Sequence, residues 1–298
     1  MEMVGVSKNE KKDRKDFVTN VVVYLVVIIA VIAFGVCLWL IISKFLDYQE
    51  SDDVFRKIQD TSVTEYKPII ASDVVETVDD GSDAEIETVT SEQSQETDTV
   101  NPALLINWDD FEGTEVVAWF QMDNISYPIM QHSNNSYYLN HLPNGAYNSG
   151  GSLFLFSDNN SMFADNCSFV YGHNMYDGSM FGLLKHYGNA GFKDHLFYIY
   201  LPDGTRHTYQ FFSVASVYQD SNVYTWRFNS DDEYLNWQQW MLEQSMFGTS
   251  CEASKDARYV ILSTCNGYSN TKYRFIICGQ EVMVDSLQES ASWYGEED

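Results

Sequence analysis

Apolar positions fall into two regimes along the chain. Phe17 to Ser43 (FVTNVVVYLVVIIAVIAFGVCLWLIIS) runs for 27 residues without a charged side chain. That exceeds the roughly 20 residues that cross a hydrocarbon core at about 1.5 Å rise per residue, and it predicts a single transmembrane helix. No small-residue cleavage site follows, so an uncleaved signal anchor is favoured over a removed signal peptide. Beyond Asn101 the pattern becomes one of short apolar, aromatic-rich runs broken by Asn, Asp and Gly, as expected of many short strands in one domain.

Those runs predict strands near Val116 to Gln121, Tyr127 to Gln131, Ser152 to Phe156, Ser168 to Gly172, Leu196 to Leu201, His207 to Tyr218, Tyr259 to Thr264 and Phe275 to Val284. Eight strands suit a small closed barrel. Pro202-Asp203-Gly204 supplies a hairpin turn between two of them. Two segments read as helices, Ser179 to Tyr187 and Asp231 to Phe247. The second opens on Asp231, Asp232 and Glu233, where negative charge suits the helix dipole. Its Tyr234, Trp237, Trp240 and Met241 make an apolar stripe for packing on the barrel.

Charge divides the chain further. The formal net charge is −26, and from Ser72 to Val100 there are ten acidic residues, no basic residue and no aromatic one. Such a composition buries too little apolar surface to offset chain entropy and predicts a disordered acidic stalk, with ends about 40 Å apart if Asp47 to Val100 form a flexible coil. The proximal part, Lys44 to Ile58, also reads as a continuation of the helix. The layout is then a cytoplasmic tail (1–16), the anchor (17–43), the stalk (44–100), a folded domain (101–284) and an acidic C-terminal tail (285–298). Lys8, Lys11, Lys12, Arg14 and Lys15 precede the anchor and only Lys44, Arg56 and Lys57 follow it nearby, favouring a cytoplasmic N-terminus and a domain outside the cell. So acidic a chain is a poor match for nucleic acid.

Five cysteines are too few and too scattered for a disulfide scaffold or a C-x-x-C metal site; whether Cys167 and Cys251 pair stays open. Arg258 to Cys265 (RYVILSTC) is a strand ending on a cysteine. Alternation puts Tyr259, Ile261, Ser263 and Cys265 on one face, with the thiol emerging beside Ser263 and Thr264. A structural cysteine at a strand edge fits this segment as well. A thiol nucleophile needs a nearby base or positive charge. His173 ends the run Ser168-Phe169-Val170-Tyr171-Gly172, again at a strand tip. His132, His141, His186, His195 and His207 fit structural or exposed roles. Arg274 opens the strand after the loop that follows Cys265, where it can stabilise a thiolate and an oxyanion or simply face solvent. Cys278 sits inside a strand as a core thiol. Asp158 and Asp165, in an Asn-rich loop, read as solvated carboxylates, and no metal or cofactor motif is present.

Two stretches change the weight of these readings. Tyr171-Gly172-His173-Asn174-Met175-x-Asp177-Gly178-Ser179-Met180-Phe181 and Leu262-Ser263-Thr264-Cys265, with Arg274-Phe275 nine residues on, resemble the histidine, cysteine and arginine signatures of class B sortases. Ala118-Trp119, Tyr127-Pro128-Ile129-Met130-Gln131, Tyr137-Tyr138-Leu139-Asn140-His141 and the helix before the cysteine strand agree, over roughly Leu104 to Met283. The resemblance implies a mostly β fold: an eight-stranded sortase-type barrel with a few helices, behind a membrane anchor in a Gram-positive envelope. It implies Cys265 as nucleophile, His173 as acid/base, Arg274 as oxyanion stabiliser, and Ser263 with Thr264 lining the substrate groove. The implied substrates are secreted proteins with a Thr-containing sorting motif, NPxTN-like or related. The implied acceptor is an amine of a peptidoglycan precursor or of a pilin. A plain cysteine protease and a noncatalytic envelope binding protein are the alternatives.

Overall fold

The long apolar run forms part of helix α1 (Lys8–Ser62). This is a computed structural model, and it describes residues 8–65, 102–265 and 272–287. The chain divides into two compact units, Met1–Glu50 and Ser51–Asp298. In the first, the apolar side chains stand uncovered, Phe17, Phe34 and Trp39 among them. This helix is long and apolar enough to cross a membrane.

In the second unit the end of α1 behaves as part of a globular domain. Ser51 and Phe55 are buried, and Phe55 packs edge-on against Tyr127 with ring centroids 5.2 Å apart. The chain then forms β1 (Val63–Glu65), which pairs antiparallel with β2 (Leu104–Ile106), Glu65 lying opposite Leu104. Where the sequence suggests a linker over 44–100, residues 44–62 are helical and 63–65 are strand. Residues 66–101, the acidic run, lie outside the described residues, as do 288–298 of the acidic tail.

The remaining strands close a barrel. They are β3 (Val116–Met122), β4 (Ile125–Met130), β5 (Leu153–Leu155), β6 (Cys167–Tyr171), β7 (Leu196–Tyr200), β8 (Thr205–Tyr218), β9 (Tyr259–Cys265) and β10 (Tyr273–Ser286). Their order around the barrel is β10-β8-β7-β3-β4-β5-β6-β9, so all eight expected strands are present and the barrel has no free edge. Inward-facing Phe120, Ile129, Leu153, Val170, Phe197, Phe211, Leu262 and Ile277 fill it. The opposite face of β9, with Tyr259 and Ile261, is covered by Tyr234, Trp237 and Met241 of α2 (Asp231–Gln244). Helix α2 starts on a side-chain N-cap: the Ser230 hydroxyl accepts from Glu233 N–H at 3.2 Å, and the Glu233 carboxylate accepts from Asn229 N–H, one residue before the cap, at 2.7 Å.

Two helical expectations need correction. Ser179 to Tyr187 is not one helix; only Leu184–Tyr187 makes a 3-10 turn. Met180 takes a positive φ of 51° and Phe181 N–H donates to the His173 carbonyl at 3.0 Å, so backbone groups that a helix needs are used to close the loop around His173. Helix α2 ends at Gln244 rather than Phe247, because Met246 N–H leaves the helical path to donate to Val214 O on β8 at 2.7 Å.

Candidate active site

The site is built where three adjacent strands reach one rim of the barrel. β9 and β10 run antiparallel with Cys265 opposite Arg274. β6 and β9 run parallel with Tyr171 opposite Ser263, and Gly172 N–H extends the ladder to Ser263 O at 3.2 Å. Because parallel strands advance together, His173, two residues beyond Tyr171, comes level with Cys265, two beyond Ser263. His173, Cys265, Arg274, Ser263 and Thr264 all line one cleft of about 230 Å³ with Asn135, Leu139, Phe154, Tyr171 and Gly172. All five residues singled out in the sequence are thereby brought together.

Gly172 is required by close packing. A Cβ there would collide with the side chains of Leu153 and Phe181, so only glycine lets the chain turn from β6 into His173 this close to the barrel. The His173 ring donates from Nε2 to the carbonyl of Leu139 at 2.6 Å. A carbonyl only accepts, so the proton of the neutral ring sits on Nε2 and Nδ1 keeps its lone pair.

The Arg274 guanidinium donates to the Tyr273 carbonyl at 3.1 Å and to Gln219 Oε1 at 3.4 Å. Ser263, on the Cys265 face, bonds Tyr224 Oη at 2.8 Å; burial pushes the Tyr224 phenol above its ordinary pKa, although the Ser263 hydrogen bond opposes this. Thr264 is buried, and among the described residues its hydroxyl has no hydrogen-bond partner.

The other thiols of the barrel unit are chemically quieter. Cys167 and Cys278 are completely buried, and burial raises both well above the usual thiol range. Burial also raises Cys251. None of the five cysteines is in a disulfide, Cys167 and Cys251 included. Cys265 is the half-buried thiol that opens into the cleft. Sequence reasoning gives no site role to Asn135, Leu139, Phe154 or Tyr224; the available signal is the polar and aromatic loop 131–141 between two apolar runs, where Tyr137-Tyr138-Leu139-Asn140-His141 carries part of the resemblance. Asp165 is less solvated than expected, since it accepts from Asn159 Nδ2 at 2.8 Å and Asn160 N–H at 2.7 Å.

A sortase domain model matches residues 121–282. The chain belongs to the sortase family. Within that family it is a class B sortase and a cysteine transpeptidase. It is 30% identical over 172 residues to sortase B of Listeria monocytogenes, covering 56% of this chain and 70% of that protein. Sortase B of Staphylococcus aureus is 24% identical over 174 residues, 57% of this chain and 71% of that one. Among solved structures, sortase B from B. anthracis in complex with AAEK1 superposes with a TM-score of 0.59 at 23% identity, covering 80% of this chain and 99% of that one. That likeness bears on the barrel fold. For a sortase, substrates with a sorting motif and an amine acceptor follow from the family.

Proposed function

We propose that this sortase cleaves a Thr-containing sorting motif, NPxTN-like or related, in secreted proteins and transfers the acyl group to an amine in the cell envelope. The observation that supports this most is the convergence of Cys265, His173 and Arg274 on one cleft from three adjacent strands. In this reading α1 is a single-pass anchor, its N-terminus is cytoplasmic and the barrel works outside the cell.

The Cys265 thiolate attacks the Thr carbonyl carbon, and the electron pair moves to oxygen. Arg274 stabilises that oxyanion, a contribution of about 10² to 10³ in rate for one such donor. The protonated His173 delivers its Nδ1 proton to the leaving nitrogen as the C–N bond breaks, leaving a thioester on Cys265 and a neutral ring still held through Nε2. An incoming amine attacks the thioester, its proton passes to Nδ1, and the amide product leaves with Cys265 restored as thiolate. Ser263 and Thr264 line the peptide path.

Intact-mass analysis tests this directly. The full-length protein in detergent is incubated with NPxTN, NPxTG and LPxTG peptides, with and without triglycine, beside Cys265→Ala. The expected result is an adduct equal to the acyl part of one peptide, absent in Cys265→Ala and converted by triglycine into a ligated product. Full-rate release of a free carboxylate with water alone would instead indicate a protease. An adduct that survives Cys265→Ala would remove the cysteine from its role.

A further inference from the structure

The acceptor of the His173 Nε2 proton is a backbone carbonyl, so its position depends on whatever fixes the short turn Tyr137–Leu139. This turn belongs to the loop after β4, and two of its neighbourhood's side chains, Asn135 and Leu139, also form a wall of the cleft. Loop backbones hold a geometry only when anchored. Ser152 N–H and the Asn134 side chain hold the backbone of the turn locally, at 3.0 Å each, and its tie to the barrel's first strand is Glu115, the residue before β3. Its carboxylate accepts from Tyr138 Oη at 2.7 Å and from His132 Nδ1 at 2.8 Å, while its carbonyl accepts from Gln131 N–H at 2.9 Å.

We propose that Glu115 is a positioning residue for the reaction, fixing through Tyr138 and His132 the turn whose Leu139 carbonyl holds His173. Tyr138 is only 4% exposed, so its hydroxyl needs a protein acceptor, and an ionised one gives a bond roughly twice as strong as a neutral one. Burial alone would raise the Glu115 pKa, but the hydrogen bonds from Tyr138 and His132 and the His132 charge outweigh it and keep the carboxyl below its ordinary value. His132 adds a second hold, stacking on Tyr137 at 4.5 Å, and Tyr137 stacks in turn on His141 at 4.0 Å. The loop is thus clamped at both ends of the Tyr137–Tyr138 pair, with Leu139 the next residue.

This proposal rests on the reading of His173 as the acid/base, and the test separates the two. Full-length protein in nanodiscs, labelled with ¹⁵N-histidine, is compared as wild type, Glu115→Leu, Glu115→Gln and Tyr138→Phe, with His173→Gln used to assign the His173 signals. In the wild type the neutral His173 ring carries its proton on Nε2. In Glu115→Leu that preference is lost, and the acylation rate with the peptide that labels the wild type falls about tenfold, within the range that sub-ångström misplacement of a reacting group produces. Glu115→Gln, whose amide can serve both partners, recovers the Nε2 tautomer and most of the rate. Tyr138→Phe, which keeps the buried ring, shows a smaller loss in the same direction and stands in for Glu115→Leu if that variant fails to fold. Wild-type tautomer and wild-type rate in Glu115→Leu would overturn the proposal. A wild-type rate in His173→Gln would overturn the acid/base reading instead, while leaving the tautomer measurement valid.

Discussion

Gly172 shows how narrowly one residue governs the cleft. It joins β6 to His173, and a single methyl there meets Leu153 and Phe181, both inside the barrel. Gly172→Ala should therefore cost about 1–3 kcal/mol, the usual penalty for overpacking a filled core, and should reduce acylation through displacement of His173. Urea unfolding of the full-length protein measures the first effect; an unchanged midpoint would mean that Leu153 and Phe181 yield freely. Legibility at this scale follows from geometry. Cys265, His173 and Arg274 each lie at a strand end, so periodicity plus the motif order located them. Asn135 and Leu139 reach the cleft from the loop after β4, Asn135 held by Ser157 across the cleft rim, and a contact between residues more than twenty apart in sequence leaves no periodic trace.

Elements were legible where one face decides their fate. Most of the eight barrel strands are short apolar runs bounded by polar or glycine positions, buried on both faces in β5, β6 and β9, and their runs are read within a residue or two. The stretch Ser179 to Tyr187 has helix-compatible residues, yet Gly178, Gly182 and the left-handed Met180 serve the loop around His173; tertiary hydrogen bonds override weak propensity there. The end of α1 reads from the sequence either as linker or as a continuation of the helix, since Val54, Phe55 and Ile58 stand among charged residues. Those few apolar positions nonetheless recur on one helical face and reach the barrel core and its flank. Phe55→Ala should cost about 3 kcal/mol, as a buried Phe commonly does, and uncover Tyr127. Thermal unfolding of the full chain would show it, and a change below about 0.5 kcal/mol, the range of ordinary surface substitutions, would reduce the helix end to a passive appendage.

Across the whole barrel, acid stability has a named contributor. At the end of β9 remote from Cys265, Glu281 of β10 accepts from His207 Nδ1 of β8 at 2.6 Å and from Arg258 Nε at 2.8 Å. Burial would raise the Glu281 pKa, but these hydrogen bonds and charges overcome it and the pKa is lowered. A carboxyl that is a stronger acid folded than unfolded stabilises the fold above its unfolded pKa, and that stabilisation disappears as pH falls through the folded value. Glu281→Gln should thus unfold more readily than the wild type at pH 7, and the gap should narrow below about pH 4, near the unfolded carboxyl pKa. Melting curves at both pH values check it; a gap that is constant with pH would assign the effect to packing alone.

The pairing of Glu65 with Leu104 has a practical corollary. The acidic run leaves and rejoins the domain at neighbouring points, so its length sets no distance between the elements on either side. A folded reporter whose own termini lie close together can be spliced between these two residues as a passenger, marking the enzyme while the path from α1 into the barrel stays the same.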